Sequence, residues 1–168
     1  MIFIGLGANL DSPRHGPPLA TLDAARRALD SPRCRVLRCS PWYRSAPVPR
    51  SDQPWFVNGV AEVETSLSPP DLLARLHAVE RDFGRARTER NAPRVLDLDL
   101  LVYHDLVLDP PLAAVVPHPR MTERAFVLLP LRELAPAWID PRSGRSIDAL
   151  IAALPPGQEC RRIERFEI

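Results

Sequence analysis

At 168 residues, with 45% apolar and 26% charged positions, the chain has room for one domain with a buried core and none for a second catalytic domain. A net charge of +1 gives no overall electrostatic case for nucleic acid or an anionic membrane, so any anion site must be a local concentration of charge. All 22 basic residues are arginine, which excludes a Walker phosphate loop, a protein-kinase ATP lysine and Schiff-base chemistry.

No apolar run approaches the roughly 20 residues that span a bilayer, and the first residues carry neither a basic region nor a cleavage site; a cytoplasmic protein is expected. Cys34, Cys39 and Cys160 are too few and too unevenly placed for a disulfide framework and match no zinc spacing.

In chain order, Met1 to Gly7 reads as a strand ended by the turn residues Gly7-Ala8-Asn9. Pro17 or Pro18 opens a helix to about Leu29, with Leu19, Leu22, Ala25 and Leu29 at helical spacing. Cys34 to Ser40 alternates as a second strand that Trp42 to Ser45 extends, and proline-rich Ala46 to Pro54 is an ordered loop. Phe56 to Thr65 alternates as a third strand, pairing antiparallel with the second. Ser68-Pro69-Pro70-Asp71 is a capped helix start, with Leu72, Leu73, Leu76, Val79 and Phe83 as its apolar stripe and Gly84 as its end.

Arg85 to Pro93 is a polar loop, followed by an acidic strand up to Tyr103. Leu106 to Leu108 offers a short hairpin partner to that strand. Pro117-His118-Pro119 leads to a helix near Thr122 to Leu134, kinked at Pro130. Ser146 to Leu154 reads as a short capped helix and Cys160 to Ile168 as a closing strand. This order implies an α+β fold: a ferredoxin-like antiparallel sheet flanked by helices, with additional C-terminal elements.

The chemistry concentrates at Pro93-Arg94-Val95-Leu96-Asp97-Leu98-Asp99-Leu100-Leu101. On a strand, Asp97 and Asp99 emerge from one face while Leu96, Leu98 and Leu100 take the other, with the acidic Cα atoms about 6.5 Å apart. Two such carboxylates can share hard divalent cations, and oxygen ligands with open positions favour Mg²⁺ held together with a phosphate substrate. An edge strand with an acidic solvent face would show the same alternation. Arg85, Arg87, Arg90 and Arg94 precede the pair within ten residues, so that guanidinium groups for phosphate oxygens stand beside carboxylates for a cation; a solvated loop with weak surface ion pairs is the alternative. Gly5-Leu6-Gly7-Ala8-Asn9-Leu10 is no dinucleotide fingerprint, because Leu10 stands at the third glycine position and no parallel βαβ pattern follows.

These pieces together resemble the 6-hydroxymethyl-7,8-dihydropterin pyrophosphokinases. The resemblance runs from Ile4-Gly5-Leu6-Gly7-Ala8-Asn9-Leu10 through Tyr43-Arg44-Ser45-Ala46-Pro47 and Asp52-Gln53-Pro54-Trp55-Phe56-Val57-Asn58 to the paired aspartates, Pro117-His118-Pro119-Arg120-Met121 and Arg124-Ala125-Phe126. It implies one pterin pyrophosphokinase domain over residues 1–168, moving a diphosphate from MgATP to a pterin alcohol in folate biosynthesis with release of AMP. Asp97 and Asp99 would hold two Mg²⁺ ions and, with Arg85 and Arg94, act in catalysis. Ser45, Ala46, Pro47, Val48, Phe56, Asn58 and Phe126 would line the pterin pocket. His77, Glu80, Arg85, Arg87, Arg94, Leu100 through its backbone, His118 and Arg124 would hold the nucleotide.

The partners implied are ATP and hydroxymethyldihydropterin, bound by a monomer with neither nucleic acid nor membrane. The chain departs from the family pattern at Asn91-Ala92, where a tryptophan and a glycine are usual, at Pro119, where an aromatic is common, and at Ala46, which replaces a proline. The first change leaves open a diverged relative that binds pterin or nucleotide without turning it over.

Overall fold

The structure is a computed structural model that describes residues 1–84 and 93–164. Strand β1 (Ile2–Ala8) is followed by helix α1 (Pro18–Leu29), strands β2 (Cys34–Cys39), β3 (Tyr43–Ser45) and β4 (Phe56–Thr65), helix α2 (Pro69–Asp82) and strand β5 (Asp97–Tyr103). After a 3-10 turn (Met121–Glu123) come helices α3 (Ala125–Leu134) and α4 (Ile147–Ala152) and strand β6 (Cys160–Arg162).

Among the described residues every strand pairing is antiparallel, and six strands form one sheet in the order β5-β1-β4-β3-β6 with β2 also on β4. Strands β2 and β3 lie end to end along one edge of β4, β3 against Phe56 to Asn58 and β2 against Ala61 to Thr65. The break falls at Ser40-Pro41-Trp42, where proline has no N–H to give. There the Ser40 hydroxyl accepts the Val60 N–H at 3.0 Å and the Ser40 N–H donates to the Val60 carbonyl at 2.8 Å, so the ladder continues through a side chain.

The two faces are covered differently. Ile2, Ile4 and Leu6 of β1, Val57, Ala61 and Val63 of β4, and Leu98 and Leu100 of β5 bury against Leu22, Ala25 and Leu29 of α1 and Leu72, Leu76 and Val79 of α2. The opposite face buries Phe3, Val60 and Leu101 under Val127, Leu128 and Leu131 of α3, with Ile147 and Leu150 of α4 behind them. Both α1 and α2 on one face of a β5-β1-β4-β2 order is the expected ferredoxin-like arrangement, and α3, α4 and β6 are the C-terminal additions. Because α3 covers only part of its face, the end of the sheet carrying Gly7, Asn58 and Asp97 is left for a cavity.

Local rules account for the helices. Pro17 and Pro18 open α1, the Ser68 hydroxyl accepts the Asp71 N–H at the start of α2, and the Ser146 hydroxyl accepts the Ala149 N–H of α4. Helix α3 starts at Ala125 rather than Thr122, because Met121 to Glu123 form a separate 3-10 turn; Pro130 lies within α3. One expectation fails: Leu106 to Leu108 is no hairpin partner for β5, since Leu108 bridges Val116 instead and the chain reverses through Tyr103-His104. Strand β6 spans Cys160–Arg162 and pairs with β3; residues 165–168 of the expected closing strand lie outside the described residues.

Candidate active site

Four strands supply the floor of the cavity. Asp97 of β5, Gly7 of β1, Asn58 of β4 and Tyr43 of β3 stand in one row across the sheet, and Asp99 and Gly5 stand side by side in the next. Alternation along β5 holds as expected: Asp97 and Asp99 are partly exposed while Leu98 and Leu100 are buried. Gly7 has a steric reason to be glycine, because a Cβ there would sit 3.1 Å from Asn58 Oδ1. The Asn58 amide donates from Nδ2 to the Ser45 hydroxyl at 2.7 Å, which turns Oδ1 toward Gly7 and fixes the acceptor end of the side chain.

A β-bulge brings in the next group. Phe3 pairs with Val102 and Ile4 with Leu100, so Leu101 is an extra residue on β5. The Leu101 carbonyl accepts the His118 N–H at 2.8 Å, which docks the Pro117-His118-Pro119 segment beside the aspartates. His118 Nε2 then lies 4.0 Å from Asp99 Oδ1. Its Nδ1 accepts the Arg120 backbone N–H at 3.2 Å, which leaves the ring proton of the neutral imidazole on Nε2, facing the site.

The charges are unequal. Asp97 is held by Arg94 at 2.7 Å, with both side chains about a quarter exposed (28% and 26%). Asp99 has no such partner among the described residues: burial and the neighbouring Asp97 charge push its carboxyl up to about 7. His118 does not neutralise it, because burial and the guanidinium groups of Arg124 and Arg120 push the imidazole down to about 4. Burial and Arg120 also lower the Arg124 guanidinium. An anionic pair with one carboxyl reluctant to ionise is a site that a cation would stabilise.

The cavity, of about 180 Å³, is lined by Gly7, Asn58, Arg94, Asp97, Asp99 and His118 on the sheet side, and by Ser45 to Pro49, Ser51, Gln53, Phe56, Arg120, Arg124 and Phe126 around its walls. Ser45, Ala46, Pro47, Val48, Phe56, Asn58 and Phe126 therefore meet in one place with Arg94, Asp97, Asp99, His118 and Arg124. The Arg124 guanidinium carbon lies 5.4 Å from the centre of the Phe126 ring, a cation–π contact.

His77, Glu80 and Leu100 do not line this cavity. The Leu100 side chain belongs to the core under α1 and α2, and Glu80, buried at the end of α2, accepts the Leu98 N–H at 2.7 Å on the edge strand of the sheet. Arg85, Arg87, Arg90 and Asn91 lie outside the described residues.

Two residues without a site role in the sequence motifs hold the walls. Asn9, buried just after β1, donates to Gln53 Oε1 at 3.2 Å and the Pro54 carbonyl at 3.0 Å, and its Oδ1 accepts the Arg94 N–H at 2.8 Å. One amide thus ties the loop before β4 to the segment that carries Arg94. Gln158 accepts the Ala125 N–H at 2.9 Å and donates to the Glu123 carbonyl at 2.8 Å, capping the end of α3 that presents Arg124 and Phe126. Asn9 was legible as a turn residue; the partners of both residues are distant in sequence and gave no local signal.

Comparison with known proteins agrees with this geometry. Residues 3–136, spanning β1 to the end of α3, match the family model of the 7,8-dihydro-6-hydroxymethylpterin-pyrophosphokinases. A 2-amino-4-hydroxy-6-hydroxymethyldihydropteridine pyrophosphokinase of Synechocystis sp. is 46% identical over 149 residues, covering 88% of this chain and 73% of its own. The protein of the same name from Pseudomonas aeruginosa is 46% identical over 154 residues, 92% of this chain and 91% of its own. The folic acid synthesis protein fol1 of Schizosaccharomyces pombe is 38% identical over 121 residues, 72% of this chain but 16% of that longer protein. With the paired aspartates, the Asn58 floor and the His118 segment all inside the matched span, the chain belongs to the 7,8-dihydro-6-hydroxymethylpterin-pyrophosphokinase family.

Proposed function

We propose that this cavity moves the β,γ-diphosphate of ATP to the hydroxymethyl oxygen of 6-hydroxymethyl-7,8-dihydropterin, with AMP released, as the family name and the named relatives imply for a step of folate biosynthesis. The observation that carries the reading is the meeting, in one cavity, of a carboxylate pair with an aromatic-walled recess floored by an amide.

On this reading the flat pterin enters between Phe56 and Phe126, where ring faces stabilise a planar heterocycle, and Asn58 meets its polar edge with Oδ1 as acceptor, beside Ser45 and the Ala46-Pro47-Val48 wall. Asp97 and Asp99 hold Mg²⁺, two ions with the nucleotide bound. The donor set fits: two carboxylates on one face, one of them destabilised as an anion, leave positions for phosphate oxygens and water as Mg²⁺ requires. Bound there, the metal neutralises phosphate charge and aligns the chain for displacement. Arg94 and Arg124 grip phosphate oxygens as fixed cations. His118, neutral with its proton on Nε2, acts as a hydrogen-bond donor rather than a charge.

The pterin hydroxymethyl oxygen attacks the β-phosphorus in line. The bond from that phosphorus to the oxygen bridging it to the α-phosphorus breaks, the electron pair leaves with AMP, and the hydroxyl proton is released to water or to the departing AMP. The remaining nucleotide contacts, through His77, Glu80 and the Leu100 backbone, would form along the α2 and β5 edge, and Arg85 and Arg87 would act from the segment before Pro93. The partners are these two small molecules; the near-neutral net charge supports leaving out nucleic acid, and the protein would work as a cytoplasmic monomer. Among the described residues no helix is long and apolar enough to cross a membrane.

The test is AMP release in the presence of MgATP and the hydroxymethyl pterin. Turnover dependent on both substrates supports the reading. Tight binding of both without AMP release would instead favour the non-catalytic alternative, which nothing in the comparisons supports.

A further inference from the structure

Among the described residues Arg120 is the one cavity-lining arginine to which neither the sequence motif nor the reading above gives a role, and the geometry points to it as a further ligand of the transferred diphosphate. It lines the cavity with Arg94, Asp97, Asp99, His118 and Arg124, and it also borders the adjoining cleft with Pro47, Val48 and Pro49. Its place is therefore where the wall of the carboxylate pair meets the wall of the pterin-side loop. The chemical group present at that junction both before and after transfer is the β,γ-diphosphate, first on the nucleotide and then on the pterin. The inference rests on the proposed reaction and names a residue for it.

Two observations put Arg120 at this junction with its charge uncommitted. The Arg120 backbone N–H is fixed by His118 Nδ1, so the residue is built into the same short segment that the Leu101 carbonyl docks against β5. Its guanidinium makes no ion pair among the described residues, whereas Arg94 is already shared with Asp97. Glu123, its neighbour on the cleft wall, makes no ion pair to it among the described residues. Its charge reaches both His118 and Arg124, two other residues that line the same cavity. A guanidinium without a committed partner, at a site for three or more phosphate charges, supplies charge-assisted hydrogen bonds that Arg94 and Arg124 leave unfilled.

Arg120→Gln removes the charge from an exposed side chain that holds no other element, so the fold is retained, and an unchanged thermal midpoint checks this. Binding is compared between α,β-methylene-ATP and AMP, each with Mg²⁺, and repeated with Arg120→Lys. The expected result is a loss of roughly five- to thirtyfold in affinity for the triphosphate analogue, partly restored by lysine, with AMP and pterin affinities unchanged. Equal affinity of wild type and Arg120→Gln for the triphosphate, or an equal loss for AMP, would overturn the assignment. A wild-type protein that binds no triphosphate analogue at all would instead sink the proposed function, so the two failures are distinguishable.

Discussion

Asp99 carries a cost that shows what the site is built for. Its carboxyl, pushed up to about 7, keeps its proton in the folded protein at pH values where the unfolded chain has released it, so its contribution to stability is lost as pH rises through that value. His118, pushed down to about 4, works the other way: the unfolded chain takes up a proton that the folded one refuses, and stability is lost as pH falls through the ordinary histidine range. Between these limits the two effects oppose each other. The Asp99→Asn variant removes the first alone. In metal-free protein its melting temperature should therefore rise relative to wild type from about pH 4 to about pH 7 and the difference should then level off; with Mg²⁺ and both substrates supplied, its turnover should fall at least about a hundredfold. A melting difference independent of pH would show that the Asp99 carboxyl is not perturbed. Gly7 makes a second test at this scale. Alanine in a strand ordinarily stabilises by roughly 0.5–1 kcal/mol over glycine, but here its Cβ would press on Asn58 Oδ1. Gly7→Ala is expected to lower pterin affinity about tenfold, roughly 1.4 kcal/mol, with nucleotide affinity unchanged; calorimetry with each ligand reads the split.

Strand β5 is both an edge of the sheet and the carrier of the acidic pair, so its position depends on what holds that edge. Glu80 does so from α2 by accepting the Leu98 N–H between the two aspartates. Glu80→Ala leaves a buried N–H unpaired and should cost roughly 1–3 kcal/mol in denaturant unfolding, whereas Glu80→Gln, which keeps an acceptor, should recover most of it. Equal stability of the two variants would count against this role. The strands and helices themselves were largely legible, because their signals are local: alternation in Phe56 to Thr65, prolines and a capping serine at the starts of α1 and α2, and Gly84 after α2. Errors fell where distant partners decide. Leu106 to Leu108 has strand composition, yet Leu108 finds Val116 rather than β5. The early end of the expected Thr122 helix became a 3-10 turn, and α3 begins where Gln158, from the far end of the chain, caps Ala125.

At the scale of the molecule, one face of the sheet is closed by two helices and the other is only partly closed, which makes a cavity without any special device. The sequence shows this indirectly: residues 97 and 99 are acidic, 58 is an amide and 5 and 7 are glycines on a face whose continuation, Phe3, Val60 and Leu101, is apolar. Only the Asp97 and Asp99 alternation and the arginines before it pointed to the site in the sequence; the resemblance implied Asn58, and the shared face of residues 5, 7 and 58 follows from the sheet register. The clamp by Asn9, between the loop before β4 and the Arg94 segment, was hidden because it joins residues 44 to 85 positions apart.

The proposed transfer requires the two carboxylates to act together on a metal-bound nucleotide. Calorimetric titration of α,β-methylene-ATP into wild type and into Asp97→Ala, each with and without Mg²⁺, tests this directly. Wild type should bind strongly only with the metal, and Asp97→Ala should lose at least about a hundredfold of that metal-dependent affinity. The same affinity in both proteins, or binding in wild type indifferent to Mg²⁺, would contradict it.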